Sequence, residues 1–272
     1  MVPKLQLTQA ARPATITVDA YNQHGERVAT EIAGEHPLTL YLDKREIVTL
    51  MTLGAAPEAL VLGYLRNQRL VTAIEDIAAV QVDWETDSAA VTTHTGSQDI
   101  AARLERRTVT SGCGQGTMFG DLMEDIDTIV LPDEGRLDAA TLAVLLDNVR
   151  RYESIYKQAG AVHGCALASA AGDILIFVED VGRHNAVDAI AGLMWLDGMG
   201  GGDKIFYTTG RLTSEMVIKT AQMGIPILVS RSGLTGMGHA IAQKVGMTMI
   251  GRAQGQHYLL FTGQQRFKPG SA

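Results

Sequence analysis

Between Thr15 and Leu53 apolar and polar positions alternate, and turn residues interrupt the alternation. TITVDAY, NQHGERVATEIAGEHP and LTLYLDKREIVTLM read as antiparallel strands, with Asp43-Lys44-Arg45 at a hairpin tip. Residues 1 to 13 lack the alternation and read as a frayed leader. Pro57 and Glu58 then open a helix that carries Leu60, Val61, Tyr64 and Leu65 on one face and ends near Arg69. AAVQVDW and AAVTTHT, separated by Glu85-Thr86-Asp87-Ser88, read as a second hairpin. Asp138 is placed to cap one long helix, Ala139 to Gln158, closed at Gly160. AVHGCALASAAGDILIFVED predicts a further hairpin turning at Ala170-Ala171-Gly172-Asp173, and the unbroken run Ile174 to Val178 predicts a strand buried on both faces.

From Asp203 onward strands and helices alternate: KIFYTTG, a helix capped by Thr213 and closed by Gly224, IPILVS, the helix LTGMGHAIAQKV closed by Gly246, then MTMIGRA and YLLFTG. The expected fold class is therefore α/β, with a mostly parallel sheet, covering helices and an N-terminal antiparallel β-rich subdomain. The expected divisions are residues 14–110 for the β-rich subdomain, 111–136 for a cysteine-bearing loop and linker, and 137–265 for the α/β core.

Ligands of such sheets collect beyond the carboxyl ends of the strands. The segments expected there are EDVGRHN, TTGRLTSE, SRSGLTG and GRAQGQH. They carry Arg183, Arg211, Arg231 and Arg252, with His184, Asn185 and Ser230 in the same loops. Four guanidiniums at equivalent positions suit a phosphate-rich ligand, and a strand turning into a helix at Gly182 adds free backbone N–H groups. The alternative for the first loop is that Glu179, Asp180, Arg183 and His184 cap and neutralise one another. His163, at the start of its strand, is open to either a local hydrogen bond or a site role.

Charge bears on this pocket. A net charge of −7 leaves no basic surplus for general nucleic-acid binding, so any anion site must be local. The two cysteines are too few for a disulfide scaffold or a cysteine-rich zinc site and fit a reducing compartment, so the expected location is the cytoplasm. No apolar segment has the length of a signal peptide core or a membrane span. Gly112, Gly114 and Gly116 bracket Cys113 in a loop that follows Arg103, Arg106 and Arg107, a setting for a reactive thiolate as well as for an exposed bystander. Cys165, among Gly164, Ala166 and Leu167, reads as a small core residue. Neither a Gly-x-x-x-x-Gly-Lys loop nor a dinucleotide fingerprint is present, and the Cys-x-x-Cys pair of a zinc deaminase is absent.

EHPLTLYLDKREIVTLM, PEALVLGYL, RRTVTSGCG, VEDVGRHNAVD, TGRLTSEMVIKTAQMGIPILVSRSGLT and MTMIGRA, in this order and spacing, resemble the FdhD family of sulfur carriers required for formate dehydrogenase activity. The resemblance runs from about residue 31 to 263 and is most specific in EDVGRHNAVD. It implies a cytidine deaminase-like core without zinc. It also implies a sulfurtransferase that receives sulfane sulfur from a cysteine desulfurase and passes it to a molybdenum or tungsten bis-guanine-dinucleotide cofactor. Formate dehydrogenase is the implied recipient and a homodimer the implied assembly, with no resident metal. Cys113 matches the persulfide-forming cysteine; Arg252, Ala253, Gln254, Gly255, Gln256 and His257 match the cofactor-binding segment. This chain departs from the pattern in two places. Gly116 stands where many members have a second cysteine, and Arg252 where many have an aromatic residue. The first departure keeps a second reading open, a non-catalytic protein that binds guanine nucleotide or molybdopterin cofactor. A hydrolase or deaminase on the same scaffold lacks metal ligands.

Overall fold

The computed structural model describes residues 5–94, 96, 108–109, 116–117 and 125–270. Two sheets organise the chain. The first has the order β1-β6-β7-β4-β5, from β1 (Gln6–Leu7), β4 (His36–Leu42), β5 (Arg45–Thr52), β6 (Ile77–Asp83) and β7 (Ser88–Thr93). The hairpin between β4 and β5 turns at Asp43 and Lys44, whose φ values of 47° and 70° supply the left-handed geometry of a two-residue loop. Alternate residues Leu38, Leu40 and Leu42 of β4 are buried, as the alternation requires, and across the register shift that skips Ile47 the buried residues of β5 are Ile47, Leu50 and Thr52. The sheet is mixed rather than antiparallel, since β1 with β6 and β4 with β7 pair in parallel. The expected leader is not frayed over its described part. Gln6 and Leu7 pair with Ala79 and Val80, Ala10 N–H donates to Glu58 at 2.7 Å, and Trp84 Nε1 donates to the Ala10 carbonyl at 2.5 Å. The edge of β6 offers unpaired backbone groups, and this segment satisfies them. Strands β2 (Thr15–Tyr21) and β3 (Arg27–Ala33) form a separate two-stranded ribbon, and β10 (Leu137–Asp138) pairs in parallel with β17 (Phe267–Lys268).

The second sheet has the order β12-β11-β13-β14-β15-β16, from β11 (His163–Ala168), β12 (Ile174–Asp180), β13 (Ile205–Thr208), β14 (Ile227–Ser230), β15 (Thr248–Gln254) and β16 (His257–Thr262). Only β13 with β14 and β14 with β15 pair in parallel, so the expectation of a mostly parallel sheet gives way to a mixed one. Because β11 is antiparallel to both neighbours, β12 nevertheless runs in the direction of β13, β14 and β15. Their four carboxyl ends share one edge. The run Ile174 to Val178 proves to be an edge strand, with Leu175 45% exposed, and not a strand covered on both faces. A short apolar run does not distinguish the two, because its edge is set by which strands pair beside it.

Alternation along each central strand divides two cores. Cys165, Leu167, Phe206, Leu228 and Met249 face α4 (Arg183–Leu196), α5 (Ser214–Gln222) and α6 (Gly236–Lys244); Ala166, Tyr207, Val229 and Ile250 face α2 (Ala139–Arg151). Cys165 is fully buried and donates to Thr208 Oγ1 at 3.3 Å, and burial pushes its thiol up to about 12. The single helix expected over 139–158 is two, α2 and α3 (Ile155–Ala159). The break follows from tertiary contacts: the Tyr152 ring lies 4.2 Å from Phe177, and Glu179 of β12 accepts from the N–H groups of Ile155 and Tyr156 at 2.5 and 3.3 Å, capping a new helix start. Asp138 caps α2 by accepting from Thr141 N–H at 2.7 Å. No helix among the described residues is long and apolar enough to cross a membrane.

The two sheets meet through α1 (Pro57–Asn67) and α4. A Cβ on Gly63 would stand 1.6 Å from the Asp188 carbonyl oxygen, and one on Gly192 would stand 1.9 Å from that of Ala59. The helices touch backbone to backbone. Gly63→Ala should therefore force them apart and cost about 1–3 kcal/mol, the range for overpacking a close contact. A fall in the urea midpoint measures this; an unchanged midpoint would show that the helices separate without loss.

Candidate functional site

The shared edge of the second sheet carries the candidate site. Its loops follow β12, β13, β14 and β15, and His163, the first residue of β11, lies there too because it pairs with Asp180 at the end of β12. The turn after β12 is tied down on both sides. Asp180 accepts from Thr52 Oγ1 at 2.6 Å, Asn185 Nδ2 at 2.9 Å, and the Leu53 and Gly182 N–H groups at 3.3 Å each. Asn185 Nδ2 also donates to the Met51 carbonyl at 2.6 Å. Burial raises the Asp180 pKa, and these four donors oppose the rise. Asp180 and Asn185 thus fasten the start of α4 to the end of β5, and neither lines the cavity described below.

The next two loops are laced together from below. Thr208 Oγ1 accepts from Gly210 N–H at 3.1 Å, and the buried Ser230 hydroxyl donates to the Gly210 carbonyl at 2.6 Å while accepting from Ser232 N–H at 2.9 Å. Arg252 N–H then donates to the Ser232 carbonyl at 2.8 Å. Gly210 is required where it stands, because a Cβ there would meet the side chain of Arg183 at 2.6 Å. The Arg183 chain therefore lies across bare backbone, directed by the loop after β13. Ser230 supports the loops and is itself fully buried.

His163 reports how the guanidiniums are arranged. It is half-buried, with Nδ1 3.4 Å from Thr209 Oγ1, and the same hydroxyl accepts from Gly164 N–H at 3.0 Å. Burial lowers its pKa first, and the positive charges of Arg183, Arg231, His184 and Arg211 lower it further. Arg183, Arg211 and Arg231 thus lie near enough to bear electrostatically on His163, and of the three only Arg231 lines the cavity described below. Arg252, exposed and at a φ of 53°, is not among them.

Beside this cluster opens a cavity of about 610 Å³ between the α2–α3 bend and the sheet. Its walls include Tyr156, Phe177, Glu179, Tyr207 and Thr209, and Arg231 closes over the Tyr156 ring at 5.4 Å. Burial pushes the Tyr207 phenol up to about 12, with Arg231 opposing. Of the segment expected to bind cofactor, Ala253, Gln254, Gly255 and Gln256 line the cavity. His257 is exposed and outside that lining. His184 is buried away from the cavity, its Nδ1 3.2 Å from Glu215 Oε1. Cys113 lies outside the described residues, between β8 (Thr108–Val109) and β9 (Gly116–Thr117), which pair antiparallel. Among the described residues no cluster of three or more His, Cys, Asp or Glu side chains could hold a metal ion.

Sequence reasoning did not select Thr209, Tyr207, Phe177, Glu179 or Tyr156. Thr209 and Glu179 had a signal, their places in the strand-end segments TTGRLTSE and EDVGRHN. The aromatic walls had none, because the helix break that opens the cavity depends on contacts distant in sequence.

The arrangement can bind an elongated anion with an apolar portion: guanidiniums at the loops, aromatic and amide surfaces beyond. Comparison with known proteins gives a consistent picture. The FdhD/NarQ family pattern matches residues 33–268. The sulfur carrier protein FdhD of Listeria monocytogenes serotype 4b is 30% identical over 243 residues, covering 89% of this chain and 93% of that protein. That of Xanthomonas euvesicatoria pv. vesicatoria is 27% identical over 271 residues, covering 97% and 96%. A crystal structure from Desulfotalea psychrophila, described as a formate dehydrogenase accessory protein, superposes with a TM-score of 0.75 at 25% identity, over 94% of this chain and all of that one.

The His163 arrangement yields a titration test. Its NMR midpoint should lie below the ordinary histidine value, and Arg231→Gln should raise it. For the fold, a base whose pKa is lowered is a penalty that appears as pH falls through the unfolded-state value and is absent above it. Stability should therefore decline toward acid less steeply in His163→Gln than in the parent. Parallel stability–pH curves for the two proteins would contradict the placement.

Proposed function

The chain belongs to the FdhD/NarQ family, and on that premise we propose that it is a sulfurtransferase that carries sulfane sulfur on Cys113 to a bis-guanine-dinucleotide cofactor of molybdenum or tungsten. Its donor is a cysteine desulfurase and its recipient a formate dehydrogenase, and it acts as a homodimer in the cytoplasm. The observation that carries this reading is the cavity of about 610 Å³ at the carboxyl edge of the second sheet, lined by Arg231, Tyr156, Tyr207 and Ala253 to Gln256, with the loops of Arg183 and Arg211 at the same edge. The strand order β12-β11-β13-β14-β15 with β11 reversed supports reading the core as cytidine deaminase-like.

The chemistry needs one thiolate. Cys113 attacks the outer sulfur of the donor's persulfide, the donor's S–S bond breaks, the donor cysteine leaves as thiolate, and Cys113 becomes a persulfide. The S–S bond of the Cys113 persulfide then breaks, Cys113 leaves as thiolate, and the sulfane sulfur passes to the metal of the bound cofactor as substrate, the reduced metal supplying the two electrons that make it a sulfide ligand. With Gly116 in the place of a second cysteine and Cys165 sealed in the core, no resolving thiol lies at hand, and direct delivery is the simple route. Arginines at the strand ends hold the pyrophosphates, while Ala253 to Gln256 and the aromatic walls hold the remainder of a guanine dinucleotide. Gln254 is braced for this, its Nε2 3.5 Å from the Arg231 carbonyl.

Gly116 also favours a second reading, in which the chain binds the nucleotide but transfers nothing. Incubation with cysteine and a desulfurase, followed by mass spectrometry, separates the two. A carrier gains one sulfur at Cys113; an unmodified protein that still binds guanine nucleotide is a binding protein only. Cys113→Ala should abolish loading and formate dehydrogenase activation with the melting temperature nearly unchanged. Arg183→Ala should weaken guanine-nucleotide binding by about 1.5–3 kcal/mol, the strength of a charge-assisted hydrogen bond to phosphate. Equal affinity in the parent and in the Arg183→Ala and Arg231→Ala variants, by calorimetry, would place the nucleotide elsewhere.

A further inference from the structure

A chain of ionisable side chains runs behind the arginine cluster and takes no part in the cavity. Asn67 at the end of α1 donates to Asp188 Oδ1 at 2.7 Å, and Lys219 Nζ bridges Asp188 Oδ2 at 2.7 Å and Glu215 Oε1 at 3.5 Å. Glu215 Oε1 in turn lies 3.2 Å from His184 Nδ1. All five residues are at least nine-tenths buried, and Lys219 is 1% exposed. Burying two carboxylates, an ammonium and an imidazole is costly, and such groups contribute specificity of arrangement more readily than stability. The ends of this chain explain what is being arranged. His184 directly follows Arg183 in the first turn of α4, and Glu215 stands in the first turn of α5, just after the loop that carries Arg211. Lys219 and Asp188 sit one turn further along the same two helices, so the pair of ion contacts sets both the spacing and the axial register of the two helix starts.

We propose that His184, Glu215, Lys219 and Asp188 are positioning residues, a buried clamp that holds the starts of α4 and α5 together so that Arg183 and Arg211 present to one anion. The purpose assigned to the clamp rests on the nucleotide reading above; its mechanical part does not. Asn67 extends the clamp to α1, so the first sheet takes part in holding the arginines. Asp188 also contributes the backbone carbonyl that faces Gly63, which anchors the clamp at the closest point between the two helices.

The test uses His163 as a ruler of arginine position and Glu215→Gln as an isosteric cut. If nothing moves, removal of a negative charge lowers the His163 midpoint directly and raises it only through positive charge lost from His184, an effect that does not need the arginines. If the clamp opens and the arginines withdraw, the midpoint rises. We expect a rise by NMR titration, and we expect it to vanish when the cut is made in an Arg183→Ala, Arg211→Ala background. Calorimetry with guanosine diphosphate, well below the melting temperature, should show affinity about tenfold weaker in Glu215→Gln, as for the loss of one well-placed contact. Should that variant fail to fold, Asp188→Asn makes the cut at the other end with the same sign of expectation. A lower melting temperature with the His163 midpoint not raised would reduce the clamp to a stability element and overturn the proposal, as would a rise that persists without the two arginines. A rise in His163 with no diphosphate binding even by the parent would sink the nucleotide reading and leave the clamp standing.

Discussion

Gly63 and Gly192 let α1 and α4 touch backbone to backbone, and the rest of the molecule is arranged around that contact. It brings the end of β5 within reach of the turn after β12, where Asp180 and Asn185 tie to Thr52, Leu53 and Met51. It also brings Asn67 to Asp188 and, through Lys219, to the start of α5. A side chain at either glycine would collide with the facing backbone and push the two helices apart, straining these hydrogen bonds. The two sheets are therefore one mechanical unit, and loops that belong to the second are held from the first.

The electrostatics follow a similar logic of local placement. A chain of net charge −7 places Arg183, Arg211 and Arg231 in loops at one sheet edge, with the Arg183 side chain lying over the backbone of Gly210. Like charges repel, so the arrangement needs support, and the buried carboxylates of Asp188 and Glu215 stand behind it. An anion arriving from solvent meets a field that the overall charge would not suggest.

Reversal of β11 is the topological device that makes this edge. With β11 antiparallel between β12 and β13, His163 reaches the edge from its amino end while the neighbouring strands arrive by their carboxyl ends. The bend between α2 and α3 supplies the opposite wall of the cavity, and Glu179, by capping α3, holds that wall in place.

Much of this was written in the sequence. The hairpins at Asp43-Lys44 and at Ala170 to Asp173, the Asp138 cap, the burial of Cys165 and the arginines at strand ends follow from local pattern, because turn chemistry and period-two alternation act over a few residues. The family resemblance was legible in motif order alone. Other features depended on partners distant along the chain. Whether Ile174 to Val178 lies at an edge, whether residues 5–12 pair, and whether helix 139–158 breaks at Tyr152 are decided by β11, β6 and Phe177 respectively. The same holds at the site. Sequence placed four arginines as equals; the fold brings Arg183, Arg211 and Arg231 to His163, leaves Arg252 outside, and turns His184 and Asn185 inward to hold the loops. A motif specifies which residue types meet at a strand end, but the direction each side chain takes is set by what the opposing layer leaves unsatisfied, and that layer exists only once the chain has folded.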